Sequence, residues 1–236
     1  MDSVLITGAN RGLGLEFAKQ YAADGWRVIA CSRHSSPGLA GLAGLHSEVT
    51  AHAVDITDGG QIRKLATELQ SEAIDVLINN AGIMGKGGFG GSGFTEQRFG
   101  NLDYDDLEQI FRTNVFGPLQ MTEAFLAHVA RSHQKKIVTL TSILGSTALN
   151  TRGGLYGYRA SKAAVNAIMK SMSIDLAAQG ILAVAMHPGW VRTDMGGQRA
   201  DIDAAESVAG MRRVIASLTP DNLGNVIAYD GKTLPY

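Results

Sequence analysis

The chain has 236 residues, 45% of them hydrophobic, with 21 Lys+Arg against 22 Asp+Glu and a formal net charge of -1. At roughly 150 residues per domain this length reads most economically as one compact α/β domain over residues 1–236. The charge balance argues against a nucleic-acid partner, the hydrophobic content argues against disorder, and no apolar run approaches the ~20 residues of a membrane span. The one cysteine, Cys31, cannot form an internal disulfide, and the scattered histidines offer no metal-ligand spacing. No secretory leader precedes the first apolar run, so a cytoplasmic protein is expected.

Short apolar runs alternate with segments of helical period, the pattern of βαβ units. Val4 to Ile6 is the first strand, and Leu13, Phe17 and Tyr21 then recur at i, i+4 and i+8 on a helix that ends at Asp24-Gly25. Further strands are predicted at Arg27–Cys31, Val49–Val54, Asp75–Asn79, Lys136–Thr141, Ile181–Met186 and Val226–Tyr229. Helices are predicted around Ile62 to Leu69, from Tyr104 to Arg131 after a cap at Asn101-Leu-Asp103, from Tyr158 to Gln179, and from Asp203 to Ser217. Seven strands with helices between them make an α/β fold, a doubly wound, mostly parallel Rossmann sheet covered on both faces. The glycine-rich stretch Gly85 to Gly100 reads as a mobile loop at the carboxyl edge, either a cover for the site or a surface insertion.

Thr7-Gly8-Ala9-Asn10-Arg11-Gly12-Leu13-Gly14 joins the first strand to the first helix. A glycine turn there leaves backbone N–H groups at a helix N-terminus, where the helix dipole favours a pyrophosphate. Gly8 permits the turn, Gly12 permits close phosphate approach, and Gly14 lets the helix pack near the strand. The spacing departs from G-x-G-x-x-G, so the general fingerprint is not met. The second strand ends in Cys31-Ser32-Arg33-His34, with no carboxylate to receive ribose hydroxyls. Arg33 and Arg11 instead suit a 2′-phosphate, which favours NADPH/NADP+ over NADH.

Tyr158 and Lys162 stand at i and i+4, on one helix face, about 6 Å apart along the axis. A phenol titrates near ~10, and a neighbouring ammonium is expected to pull that value down. Ser142, at the end of the fifth strand, is placed to meet a bound carbonyl oxygen, with Ser146 as the alternative. Asn114 lies among Phe111, Val115 and Phe116, where its amide either holds a water or is satisfied inside the core.

Thr7 to Gly14, Asp55, Asn79-Asn-Ala-Gly82, Asn114, Ser142, Tyr158 with Lys162, and Pro188-Gly-Trp-Val-Arg-Thr193 occur in one order along the chain. In this the chain resembles the short-chain dehydrogenase/reductase family. Its stretches Met186–Gly196 and Asp230–Tyr236 are most similar to Sniffer-type carbonyl reductases and C-factor-like proteins. The resemblance implies that Tyr158 donates a proton to a carbonyl as hydride arrives. It also implies that Lys162 lowers the phenol's pKa and holds the nicotinamide ribose, that Ser142 bonds the substrate oxygen and that Asn114 positions a relay water. It places Asp55 and Ile56 at the adenine and Asn80, Ala81 and Gly82 at the adenosine ribose. Pro188, Gly189, Val191 and Thr193 fall beside the nicotinamide carboxamide and phosphates, with a substrate lid after Thr193. The expected activity is NADPH-dependent reduction of a small-molecule ketone or aldehyde by a homodimer or homotetramer paired through the helices at 104–131 and 158–179. Two other readings remain open: a C-factor-like signalling protein that keeps the fold as a scaffold, and an NAD-linked alcohol dehydrogenase.

Overall fold

Ser3–Thr7 carries apolar residues on both faces, and in the computed structural model, which describes residues 1–86 and 97–236, it forms a strand (β1) buried at every position. Such a strand needs cover on both sides, the condition met by parallel sheets with helices on each face. The other strands are Arg27–Ser32 (β2), Val49–Ala53 (β3), Val76–Asn79 (β4), Lys136–Leu140 (β5), Leu182–His187 (β6), Val226–Ala228 (β7) and Thr233–Leu234 (β8). Among the described residues they form one sheet in the order β3-β2-β1-β4-β5-β6-β7-β8, parallel apart from the β7–β8 pair. The expected doubly wound sheet is present with eight strands instead of seven. The additional strand is two residues long, too short to show alternation, and folds back on β7 through Gly231 at φ +89°.

The helices are Gly12–Ala23 (α1), Pro37–Leu45 (α2), Gly59–Glu68 (α3), Tyr104–Phe111 (α4), Gly117–Ala130 (α5), Tyr156–Asp175 (α6) and Ala204–Ala216 (α7). Period-2 alternation in β1 sends Val4 and Ile6 to one face, where Phe17, Tyr21, Val208 and Met211 cover them from α1 and α7. Leu5 faces the other way, into Ile62, Phe125, Val165 and Met169 from α3, α5 and α6. Each such side chain contributes about 1.5–3 kcal/mol by leaving water.

Two helices differ from the periodicity reading. α2 is absent from it because Gly38, Gly41 and Gly44 dilute the helical signal. Ser36 accepts from Leu39 N, Pro37 opens the first turn, and Leu39 and Leu42 are buried one turn apart. The long helix from Tyr104 does start at an Asp103 cap, but it is interrupted by a π-helical turn over Arg112–Phe116 between α4 and α5. Asn114 lies in that turn, and π turns of this kind gather at functional sites.

The strand order reverses between β1 and β4, which opens a crevice above their carboxyl ends. The glycine turn lines it. Gly8 has φ +67°, and a Cβ there would come 2.9 Å from the Ala81 Cα; a Cβ on Gly14 would overlap the Gly8 carbonyl oxygen. Because that obstacle is backbone, Gly14→Ala is expected to destabilise the fold by about 3 kcal/mol, read as a lowered midpoint in urea unfolding. An unchanged midpoint would show that the turn relaxes freely.

Candidate active site

Asn80 builds the floor of the crevice. Its backbone N and that of Ala81 both donate to Thr7 Oγ1 at 3.0 Å, and its Nδ2 donates to Thr7 O at 2.7 Å. The end of β4 is thereby tied to the glycine turn. No side chain caps α1, and no acidic residue occupies its first turn, so its amino end carries no built-in counter-anion. The cleft holds about 390 Å³. Gly8, Asn10, Arg11, Gly12, Leu13 and Gly14 line it at one side, Ser32 and Arg33 at the end of β2, and Asp55 and Ile56 after β3. Asn80, Ala81, Gly82, Tyr158, Lys162, Pro188 and Thr193 complete the expected set along its wall. Arg33 is exposed, whereas Arg11 pairs with Asp194 at 2.7 Å across the cleft mouth.

Asn114, Ser142, Gly189 and Val191 stand behind the lining. Gly189, at φ +85°, backs onto Ile202, and Val191 bridges to the same residue. Asn114 is 1% exposed, and its amide is fully engaged by protein: Oδ1 accepts from Ile83 N and Nδ2 donates to Ile83 O, each at 2.8 Å. A further bond runs from its Nδ2 to Ser161 Oγ at 3.0 Å, and Ser161 donates to Tyr158 O at 2.8 Å. Ser142 caps a short 3₁₀ turn by accepting from Leu144 N at 3.2 Å and stands near enough to the Tyr158 phenol to lower its pKa, a place Ser146 does not take. Lys162 lies with its ammonium 5.7 Å from the Tyr158 ring centre and donates to Leu140 O at 2.8 Å. A phenol, a hydroxyl and an ammonium therefore meet at one end of a cleft whose other end is a bare helix terminus flanked by arginines.

A model of the short chain dehydrogenase family matches residues 2–203. The chain belongs to that family. C-signal of Myxococcus xanthus is 42% identical over 175 residues, covering 74% of this chain and all of that protein. Among solved structures, the carbonyl reductase Sniffer of Drosophila melanogaster superimposes with a TM-score of 0.90 at 33% identity over the full length of both chains. The NADPH-bound carbonyl reductase from chicken fatty liver gives 0.89 at 31% identity, covering 100% of this chain and 99% of that one.

In this short-chain dehydrogenase the electrostatics of the pair differ from the sequence expectation. Met84, Leu155 and Tyr158 form a buried cluster, with Leu144 and Met195 packed against it. Burial in that apolar setting pushes the Tyr158 phenol up to about 12, and Ser142 beside it offsets only part of the rise. Burial also pushes Lys162 itself down to about 8.

Several cleft residues were not singled out by sequence: Ile83, Thr113 and Thr141 near the phenol, and His34 and Thr57 at the far end. Ser161 could have been found, since it lies three residues after Tyr158 and so on the same helical face as the pair. The glycines between 87 and 96 lie outside the described residues, so the loop reading there is untouched. Trp190 is half-exposed and donates to Gly196 O at 2.9 Å, while Met186 is wholly in the core.

A buried ammonium whose pKa falls from 10.5 to about 8 destabilises the fold while it remains charged, by an amount of order 3 kcal/mol. That cost is full below pH 8 and fades as pH rises towards 10.5, where the unfolded chain also loses the proton. Lys162→Met is therefore expected to melt at a higher temperature than the parent at pH 7, with the gain shrinking between pH 8 and 10.5. A gain independent of pH, or a loss at pH 7, contradicts this account of the burial.

Proposed function

We propose that this short-chain dehydrogenase reduces ketones or aldehydes with NADPH, with Tyr158 as the proton donor. The observation that carries the reading is the phenol of Tyr158, buried beside Ser142 at the end of a cleft that runs back to the glycine turn. Bound in that cleft, NADPH would supply the hydride. The bare amino end of α1 suits the pyrophosphate, and Arg33 beside Ser32 suits the 2′-phosphate in place of an acidic ribose partner. The NADPH-bound chicken liver reductase, alike in fold, supports the same choice of cofactor.

A phenol held near 12 is protonated at neutral pH, the form that donates to a developing alkoxide, and the same group takes the proton back in the oxidative direction. Ser142 orients the substrate oxygen, and Lys162 holds positive charge beside the phenol and the nicotinamide ribose. Asn114 acts one step back by fixing Ile83 and, through Ser161, the carbonyl of Tyr158. Met84, Leu144 and Met195 give the carbonyl compound an apolar flank. Phe116 is 50% exposed and Ala167 lies at the surface on neighbouring helices, which supports a homo-oligomer formed through them.

A second reading, a signalling or regulatory protein that retains the fold as a scaffold, is favoured by the 42% identity to C-signal. Tyr158→Phe separates the two. It is expected to lower NADPH consumption with aldehydes or ketones by at least about 100-fold, the scale of one general-acid contribution. A variant as fast as the parent refutes Tyr158 as the acid, and a parent inactive across a carbonyl panel favours the second reading. For the cofactor, Arg33→Asp is expected to raise the KM for NADPH at least about tenfold and leave that for NADH nearly unchanged, since it removes a charge-assisted bond to a 2′-phosphate. Equal losses for both cofactors refute the role of Arg33.

A further inference from the structure

α6 begins without a cap of its own. Leu155 precedes it at φ +52°, and no side-chain hydrogen bond is made from that position. The first N–H groups of a helix lack intrahelical partners, and the third of them here belongs to Tyr158 itself. Gln97 provides the partner from a distant part of the chain. Its Oε1 accepts from Tyr158 N at 3.3 Å, its Nε2 donates to Met84 O at 2.6 Å, and the residue is 2% exposed. These two partners fix the orientation of the amide, because an N–H must meet oxygen and a carbonyl must meet an amide hydrogen. An ionised Glu at this position would offer acceptors alone, and Met would offer neither. Gln97 thus joins the exit of β4, the approach to α4 and the turn of α6 that carries the phenol.

We propose that Gln97 is a positioning residue for proton delivery: it caps α6 from outside the helix and holds the Tyr158 hydroxyl in line with the substrate oxygen. The proposal rests on Tyr158 being the acid. The bond to Met84 adds to the effect of the cap, because the Met84 side chain packs directly with Tyr158 and Leu155. Losing either bond therefore moves both the backbone that carries the phenol and the wall it rests on. A displacement of about 1 Å at a reacting group can lower a rate by about 100-fold, so partial loosening is expected to act on turnover before it acts on folding.

The charged groups around Gln97 make a second, pH-dependent readout available. Asp106 stands beside it across Gly85 and accepts from Lys86 N, Lys86 pairs with Asp103, and on α6 the ammonium of Lys162 is turned away to Leu140 O. A carboxyl introduced at position 97 would sit near the Asp106 carboxylate and the Met84 carbonyl, both of which favour its protonated form. In that form it reproduces the donor and acceptor of glutamine.

The test uses the full chain, with NADPH and a simple aromatic aldehyde. Gln97→Met is expected to lower kcat about tenfold while the KM for NADPH stays within about twofold. Gln97→Glu is expected to approach the parent's rate near about pH 5.5 and to lose it as pH rises and the carboxyl ionises, a loss the parent does not share. Unchanged kcat in Gln97→Met, a parallel loss of kcat and NADPH affinity, or a Gln97→Glu profile that follows the parent's overturns the proposal. If the parent shows no NADPH-dependent reduction, the acid role of Tyr158 fails separately, and amide hydrogen exchange then decides the cap. Protection of the Tyr158 N–H is expected to fall at least about tenfold in Gln97→Met, and equal protection overturns the cap as well.

Discussion

The two hydrogen bonds between the Asn114 amide and the backbone of Ile83 hold the site in its present form. They attach the segment leaving β4 to a helix on the opposite side of the crevice. Through Ser161 the same amide reaches the carbonyl of Tyr158, so one side chain spans the sheet edge, the π turn and the helix that carries the phenol. A regular α-helix at Arg112–Phe116 would rotate every residue after it by about 100° relative to a chain with one residue more per turn, and the amide could not face Ile83 while Phe125 faced the core. The π turn reconciles the two requirements. Its free energy is set against three hydrogen bonds made by an amide 1% exposed, which if left unpaired would itself destabilise by about 1–3 kcal/mol.

The catalytic end of the cleft is built against the preferences of its groups. An apolar cluster is a poor place for an ammonium and for an ionised phenol, and both respond: Lys162 drops to about 8 and Tyr158 rises to about 12. The same burial that destabilises the lysine keeps the tyrosine protonated and keeps water from competing for its hydroxyl. Ser142 is the polar side chain that lowers the phenol's pKa against this burial. Stability and reactivity are opposed here, and the two well-packed faces of the sheet offset the deficit.

Most of the architecture was legible because its signals are local. Short apolar runs in the strands, helical periodicity in α1, α3 and α7, and Asp103 as a cap each follow from side-chain spacing, and the Gly14 approach to Gly8 follows from the turn. What escaped has a common cause in weak or distant signals. α2 carries three glycines, β8 is two residues long, and the π turn shifts the register of a helix without changing its composition. The sign of the phenol's pKa also escaped. Proximity of Lys162 in sequence suggested a charge effect, yet the apolar wall of Met84, Leu155, Leu144 and Met195 comes from four separate segments that only folding assembles. Gln97 belongs to the same class, since its partners lie 13 and 61 residues away.

The mouth of the cleft is held differently from its floor. Arg11 and Asp194 meet there at 2.7 Å, but with side chains 68% and 76% exposed they form the kind of ion pair that contributes little and is screened by salt. What positions Thr193 to Met195 is instead the backbone frame beneath: Val191 pairs with Ile202, Arg192 N donates to Ile202 O at 2.9 Å, and Trp190 reaches Gly196 O. Gly196 approaches the Val191 carbonyl too closely for any Cβ. Among the described residues the segment meets the glycine turn through the Arg11–Asp194 pair and through Thr193, which lies against Gly12. A guanidinium that is only loosely paired can exchange its carboxylate for a phosphate at small cost, whereas the turn that carries Asp194 has no equivalent freedom. Adaptability at this end of the cleft thus resides in two exposed side chains, and the backbone around them is fixed.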